Sequence, residues 1–561
     1  MNIRLSQLNP TIGDLQGNKE LILNEIQKAE QENIDILVLP ELIICGYPPL
    51  DLLEREIFRD LCYQVSDEII AATQNTAVIF GTITKNDGLG RKMFNSAVVA
   101  QHGKELARIH KALLPTYDVF DDLRYFEPGD VFEPVLINGV SFGITVCEDI
   151  WYNDNEINYH TYKVNPAEVL VEKGAIAIIN VSASPYTKRK PESRIGMLRK
   201  HAVELKSPLF YVNQTGANTE LVYDGDSLVL DGTGKLITRA KRFTETHIDT
   251  SFDVESASLT NLSSPDFEKE PPKPVASMFN ALVFGLREYL AKTKVASKVI
   301  LGLSGGIDSA LVATIAKEAL GAENVIGITM PSQYSSEGSV SDSVQLANNL
   351  GIQIHEIPIK PIYDAFINQL DPLFKETEFN VAEENLQSRS RGDILMAIAN
   401  KFGYMLLNTG NKSETAVGYC TLYGDMAGGL AVISDLYKTE VFEMCEWLNS
   451  SYYGQEVIPN SIITKEPSAE LRPDQKDLDS LPDYGTLDSI LEYYLEEQLS
   501  IDEITQKGFD KSLIERILRL VDINEHKRFQ AAPGLKVSAK AFGSGRRWPI
   551  VQNWTGQEQK F

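Results

Sequence analysis

Cysteine and histidine are scarce in this 561-residue chain, and neither is grouped. The five cysteines, Cys45, Cys62, Cys147, Cys420 and Cys445, are odd in number and nowhere spaced as CxxC. That excludes a disulfide framework and a cysteine-based zinc or iron–sulfur site, and it suits a reducing compartment. The seven histidines form no HExxH or other close ligand pair, so none is assigned to a transition metal. Long hydrophobic runs are missing too: no stretch approaches the roughly 18 apolar residues of a membrane span. The start, MNIRLSQLNPTIGD, has no continuous apolar core of the kind a signal peptide carries, so a cytoplasmic protein with no membrane partner is expected. Positive charge is in short supply: 53 Lys and Arg face 78 Asp and Glu, a net charge of −25. Such a surface repels phosphate backbones and anionic lipid, which argues against a nucleic-acid partner. An anionic substrate must therefore be held by a few local cations and backbone amides.

What is present is ordinary globular composition, 43% hydrophobic and 23% charged, long enough for about two to four domains. Residues 256–275, SASLTNLSSPDFEKEPPKPV, carry four prolines and little apolar periodicity, and read as an extended linker between domains at 1–255 and 276–561. Before it, the short apolar runs 34–40, 76–83, 141–147, 175–181 and 208–213 read as buried strands, and 17–32 and 191–206 as helices that cover them. NSAVVAQHGKELAR (95–108) echoes DSLVLDGTGKLITR (226–239) as two similar hairpins. Duplication and the common look of hairpins both account for the echo.

After the linker, strand 298–303, helix 309–320, strand 324–330, helix 338–350 and strand 352–359 form a βαβαβ series, the mark of a parallel sheet. A helix at 391–403 and a strand at 404–410 follow, then glycine-rich, mobile sequence through 429 and a helical tail over 487–528. GLSGGIDS spans Gly302, Leu303, Ser304, Gly305, Gly306, Ile307, Asp308 and Ser309, where the first strand turns into its helix. Successive amides and the helix N-terminus converge there, and two serine hydroxyls join them, as a polyphosphate requires. The GK[ST] ending of a Walker A loop is absent, and with it the usual lysine on the β and γ phosphates.

The loop resembles the SGGxDS element of the ATP pyrophosphatases. ENLQSRSRG (384–392), NTGNKSE (408–414), GDMAGG (424–429), SDLYKTEV (434–441) and NEHKRFQAAPGLK (524–536) narrow the resemblance to the NAD synthetase family. It implies a Rossmann-like, doubly wound parallel sheet and a reaction in which ATP adenylates the nicotinate carboxylate of deamido-NAD, ammonia then giving the carboxamide. Asp308 and Glu414 match magnesium ligands. The 302–309 loop, Thr409 and Lys438 match ATP contacts, and Asn385, Glu414, His526 and Lys527 match contacts to deamido-NAD. Lys438, Lys527 and Arg389 or Arg391 are suitable cations for so anionic a pair of substrates.

In the first half Glu41 follows an apolar strand in LPEL, Lys111 lies in RIHKALLP, and Cys147 closes a strand before EDIW. Taken singly, Cys147 suits a small buried hydrophobe, Glu41 a helix-cap neighbour and Lys111 a surface charge. Brought together they suit covalent acyl transfer, with a nucleophile, a base and a stabilising cation. The order Glu, Lys, Cys with these strings is similar to the nitrilase superfamily of carbon–nitrogen hydrolases, which implies a four-layer αββα sandwich. There Cys147 is the nucleophile, Glu41 the general base and Lys111 the stabiliser of the tetrahedral intermediate. Asp122 falls where many relatives have a Glu. A nitrilase-like domain fused ahead of an NAD synthetase hydrolyses glutamine, and Tyr117, Ser184 and Lys190 match glutamine contacts. Lys190 also reads as part of a solvated KRK run.

The resemblance thus implies a two-domain α/β enzyme that amidates deamido-NAD at the expense of glutamine and ATP, releasing glutamate, AMP and pyrophosphate. A sheltered ammonia passage and a homo-oligomer are implied as well. Other ATP pyrophosphatase amidotransferases carry a different glutaminase, and tRNA-thiolating relatives need further cysteines and a basic face. A nucleotide sensor that has lost turnover is the remaining alternative, distinguished by ATP binding without pyrophosphate release.

Overall fold

The computed structural model describes residues 1–152, 162–263, 273–473, 475–552 and 554. Contacts divide the chain into two units, Met1–Pro272 and Lys273–Phe561.

The strands of the first unit are β1 (Asn2–Gln7), β2 (Ile36–Val38), β3 (Ala77–Lys85), β4 (Met93–Gln101), β5 (Lys104–His110), β6 (Val135–Ile137), β7 (Val140–Val146), β8 (Ala177–Ser182), β9 (Leu209–Asn213), β10 (Thr215–Asn218), β11 (Leu221–Asp224), β12 (Leu228–Leu230), β13 (Leu236–Arg239), β14 (Thr246–Asp253) and β15 (Ser258–Asn261). They build a seven-stranded sheet of order β15-β14-β1-β2-β3-β4-β5, a six-stranded sheet of order β13-β12-β9-β8-β7-β6, and the separate ribbon β10-β11. Strand alternation explains the layering. In β1, Ile3 and Leu5 point into a core shared with Phe142, Ile144, Ile179 and Val212 of the other sheet. Ser6, on the opposite face, bonds Glu25 on the covering helix Leu15–Gln31 at 2.9 Å. That helix starts on an Asp14 cap and buries Ile22, Ile26 and Ala29, whereas helix Lys190–Leu205 buries Ile195, Leu198 and Ala202 over the second sheet. The result is the αββα sandwich.

Both halves of the sequence echo are hairpins, β4-β5 and β12-β13, and each closes one edge of its own sheet. The sheets also share a pairing order: β1-β2-β3 and β7-β8-β9 are parallel, and an antiparallel hairpin follows each. Behind the second sheet lies an ionic network that the sequence pattern does not announce. Arg194 makes a two-pronged contact with Asp224 at 2.9 and 3.0 Å, and Asp226 joins Arg194 to Arg239, with all four side chains fully buried. Each charge is tolerable only because the others are present.

In the second unit β16 (Val299–Gly302), β17 (Val325–Thr329), β18 (Gln353–Glu356), β19 (Met405–Asn408) and β20 (Leu430–Ala431) form a wholly parallel sheet of order β18-β17-β16-β19-β20. The strand order reverses between β16 and β19, so the loops leaving those two strands diverge and open a crevice at their C-terminal ends. Helix Ile307–Leu320 is apolar nearly all round and correspondingly buried, while the helices from Tyr484 to Arg528 gather on Ala416 and Val417 in a core of their own.

Three expectations need correction. The proposed linker is not wholly a free connection: Ser258–Asn261 pairs with β14 as an edge strand, and a helix begins at Pro274, where proline suits the first turn. Its residues 264–272 lie outside those described. The helix expected at 391–403 runs Val381–Phe402, started ten residues earlier by Asn380 and Glu383, which cap each other's backbone. Within the glycine-rich stretch, Lys412–Val417 is helical, capped by Asn411 and ended by Gly418 in the left-handed conformation. The turns beyond it are pinned by Asn408, whose Nδ2 donates to the carbonyl of Asp425 at 2.6 Å.

Candidate active sites

In the first unit the ends of β2, β5, β7 and β8 converge. Glu41 passes β3 so closely that a Cβ on Gly81 would lie 2.5 Å from the Glu41 Cα, so only glycine permits the approach. Its Oε1 accepts from Lys111 Nζ at 2.9 Å and from Asn95 Nδ2 at 2.7 Å, and its Oε2 from the Ala183 amide at 2.9 Å. Lys111 is 1% exposed, which removes the surface-charge reading, and its Nζ also donates to Asp122 Oδ2 at 2.6 Å. Tyr47 donates to the other Asp122 oxygen at 2.9 Å. Asp122 thus reaches the lysine despite being one methylene shorter than glutamate. Burial works against the Lys111 ammonium, but Asp122 and Glu41 outweigh it and hold the lysine charged.

Cys147 follows β7 with φ 46°, a left-handed conformation that is strained for a residue with a side chain and that turns it out of the strand line. The turn is held by Asp149, whose Oδ2 accepts from the Val146 amide at 3.0 Å and whose Oδ1 accepts from the amides of Ala112 and Leu113 at 2.9 and 2.8 Å. One carboxylate therefore ties the cysteine turn to the lysine segment. Burial and the charge of Glu41 push the Cys147 thiol up, and Lys111 and the Ala183 amide oppose them. Burial thus favours the neutral thiol of Cys147, with Glu41 and Lys111 beside it.

Beside it, Glu148 accepts from Tyr117 at 2.9 Å and from Tyr162 at 2.8 Å, and burial pushes its carboxyl up to about 7. Lys190 is half-buried, not part of a solvated run: its Nζ lies 3.4 Å from the centre of the Trp151 ring. Ser184 is buried, its amide donating to Asn213 at 2.8 Å. Asn95, Glu148 and Asp149 were missed by sequence reasoning. The string CEDIW held the last two, but nothing local separates a charged pair after a strand from a solvated loop.

In the second unit a cavity of about 330 Å³ opens at the strand ends of β16 and β19, lined by Gly302 through Ser309, Thr409, Glu414 and Lys438. Gly305 sits at φ +76°, and a Cβ there would lie 2.4 Å from the Ser339 carbonyl oxygen, so the loop is pressed against helix Glu337–Leu350. Lys438 Nζ bridges Asp308 Oδ2 at 2.5 Å and Glu414 Oε1 at 3.0 Å, while Asn411 donates to Asp308 Oδ1 at 2.9 Å. Burial pushes Glu414 up to about 7, helped by Asp308 and opposed by Lys438. Two carboxylates facing one ammonium, with oxygen donors only, fit a hard divalent cation such as magnesium.

The remaining residues matched to deamido-NAD do not line this cavity. Asn385 accepts from Thr421 at 2.8 Å, and Lys527 donates to the carbonyls of Gly418 and Cys420 at 2.7 and 2.9 Å, so both hold the turn 418–421. His526 is exposed on a short helix. Of the paired candidate cations, Arg391 lines the cavity and Arg389 does not.

A cysteine, lysine and glutamate site on an αββα sandwich, joined in one chain to a nucleotide-type crevice on a 3-2-1-4-5 parallel sheet, defines a two-part amidotransferase. Residues 2–261 match the carbon–nitrogen hydrolase family model and residues 278–531 the NAD synthase model. The chain is 47% identical over 558 residues to the glutamine-dependent NAD(+) synthetase of Synechocystis sp., covering 98% of each. It is 41% identical to that of Thermotoga maritima, covering 99% of each. Among solved structures, the glutamine-dependent NAD+ synthetase of Acinetobacter baumannii in complex with ADP matches with a TM-score of 0.77 and 36% identity over 99% of each chain. The chain belongs to the glutamine-dependent NAD(+) synthetase family.

Proposed function

We propose that the chain converts deamido-NAD to NAD, with ATP cleaved to AMP and pyrophosphate and with ammonia drawn from glutamine by residues 1–255. The synthetase reaction is assigned to residues 276–561. The observation that carries this reading is the presence in one chain of the buried Glu41, Lys111 and Cys147 cluster and the Asp308, Glu414 and Lys438 crevice.

At the first site Glu41 takes the thiol proton as Cys147 Sγ attacks the glutamine carboxamide carbon, and Lys111 stabilises the oxyanion. The C–N bond breaks, and the nitrogen takes the proton from Glu41 and leaves as ammonia. Water, deprotonated by Glu41, then cleaves the thioester to glutamate. Tyr117, Ser184 and Lys190 orient the amino acid. Glu148, flanked by Tyr117 and facing Lys190, is the carboxylate suited to its α-ammonium group.

At the second site a nicotinate carboxylate oxygen attacks the α-phosphorus of ATP and displaces pyrophosphate, and ammonia then displaces AMP from the acyl adenylate. The 302–309 loop and Thr409 hold the phosphates. Asp308 and Glu414 are suited to hold magnesium, which would neutralise phosphate charge when bound. Asn385, His526 and Lys527 are assigned to the deamido-NAD side, Lys527 through the turn it braces. Small molecules are the substrates. No helix among the described residues is long and apolar enough to cross a membrane. A cytoplasmic homo-oligomer completes the reading, on the family resemblance.

The test is NAD formation from deamido-NAD, ATP and magnesium, with glutamine or ammonium chloride as the nitrogen source. Synthesis with both supports the reading; none with either, while ATP still binds, overturns the substrate assignment. A pH dependence follows from Glu148. Its carboxyl is neutral below about 7 and anionic above it. Glutaminase kcat/KM is therefore expected to rise through pH 7, and Glu148→Gln should remove that limb and raise KM more than it lowers kcat. Rates of glutamate release across pH 5.5–8.5, on the order of tenfold apart at the two ends, check this.

A further inference from the structure

The polyphosphate-binding loop lacks the lysine that a Walker A motif supplies, and Lys438, the ammonium bonded to Asp308 of the loop, is already matched by two carboxylates. The side of the crevice that carries Asp308 and Glu414 therefore has no spare positive charge for phosphate. Across the loop two further cations line the cavity. Lys465, from the segment after helix Asn460–Thr464, lines the same cavity, as do Arg391 and Glu470. Both cations face Glu470, and Arg391 lies near Asp425 as well. Lys465 Nζ donates to Ser339 Oγ at 2.5 Å and to Glu470 Oε1 at 2.9 Å. Ser339 is the residue whose backbone presses on Gly305, so the lysine is bonded to a residue in contact with the turn of the phosphate loop. Glu470 occupies the position of an anion: Ser339 Oγ donates to it at 2.8 Å and Ser336 Oγ at 3.2 Å, donors at the start of helix Glu337–Leu350.

We propose that Lys465 supplies the missing cation for the departing pyrophosphate of ATP, and that Glu470 is its placeholder, displaced when the polyphosphate arrives. The inference rests on the reading of this crevice as an ATP site. Displacement frees Lys465 and the two serine hydroxyls together, so one carboxylate holds three donors while no phosphate is there. In the bound state the lysine neutralises charge that builds on the bridging oxygen as the bond to the α-phosphorus breaks. Arg391, whose Nε donates to the Met330 carbonyl at 3.2 Å, is the second cation within reach of Glu470.

The experiment is calorimetric titration of the full chain with ATP and with inorganic pyrophosphate in the presence of magnesium, on the unsubstituted protein and on Lys465→Ala, Lys465→Arg and Glu470→Gln. Lys465→Ala should weaken pyrophosphate binding on the order of tenfold or more, and Lys465→Arg should restore most of it. Glu470→Gln should tighten it, because the competing anion is gone. The signs separate this role from a structural one: if the ion pair merely held the segment in place, Glu470→Gln would weaken binding as Lys465→Ala does, and that result overturns the proposal. Unchanged pyrophosphate binding in Lys465→Ala also overturns it. Thermal unfolding followed by circular dichroism on the same samples, compared with the unsubstituted protein, reports that the variants fold. An unsubstituted protein that binds ATP but makes no NAD would refute the function proposed above without touching the sign of these effects.

Discussion

Cys147→Ala should abolish glutamine-supported NAD formation, by on the order of a thousandfold or more, and leave ammonia-supported formation unchanged. The two halves of that expectation have separate physical grounds. Removing the sulfur removes the thiol that Glu41 and Lys111 flank, and those two are committed to each other and to Asn95, Ala183 and Asp122. The ammonia-supported reaction needs none of these residues, because among the described residues those that line the crevice belong to the second unit. The substitution is also mild for the fold. Alanine is smaller than cysteine in a buried position and relieves none of the φ 46° backbone, which Asp149 and Asn180 hold from either side. Glutamine and ammonium chloride compared in one assay decide the matter. Equal loss with both nitrogen sources, with the fold intact, would sink the assignment of two separate sites.

How much of this was visible before the structure depends on the range of the interaction. The parallel sheet of the second unit was legible because each strand, loop and helix is local: VILGL is apolar on both faces, GLSGGIDS turns, and the helix follows. The αββα layering was legible through resemblance more than through pattern, since buried runs such as AIINVS mark a covered strand without naming its neighbour. Lys412–Val417 was misread because its flanking glycines outweighed a clear Asn411 cap, and Ser258–Asn261 because four prolines downstream coloured a segment whose first residues still alternate. Side chains that act across the fold left no local mark. Asp149 binds amides 36 and 37 residues away, and Lys465 meets a serine 126 residues away, from a stretch that reads as a charged loop. The grouping of Asn385 and Lys527 on the turn 418–421 was invisible for the same reason.

Asp308→Ala should remove NAD formation with either nitrogen source, again by on the order of a thousandfold, while glutamate release from glutamine stays at the level of the unsubstituted protein. Asp308 sits where the loop enters helix Ile307–Leu320, with one oxygen on Lys438 and the other on Asn411, so its carboxylate is fixed at the mouth of the phosphate loop. Its removal has two consequences. The pair of oxygen donors suited to a divalent cation is halved, which leaves phosphate charge unneutralised at the step where pyrophosphate departs. The balance around Lys438 also shifts: Asp308 helps push Glu414 up to about 7, so without it the Glu414 carboxyl falls and pairs with Lys438 one to one. The lysine is then held by Glu414 alone and turned away from its bridging position. Asp308→Asn separates the two effects, because the amide keeps a hydrogen-bonding group on Asn411 but carries no charge. If charge is what matters, the asparagine variant loses as much activity as alanine, and raising the magnesium concentration recovers little of it. Recovery of AMP and pyrophosphate release by the asparagine variant would show that Asp308 serves the crevice as a spacer and not as an anion.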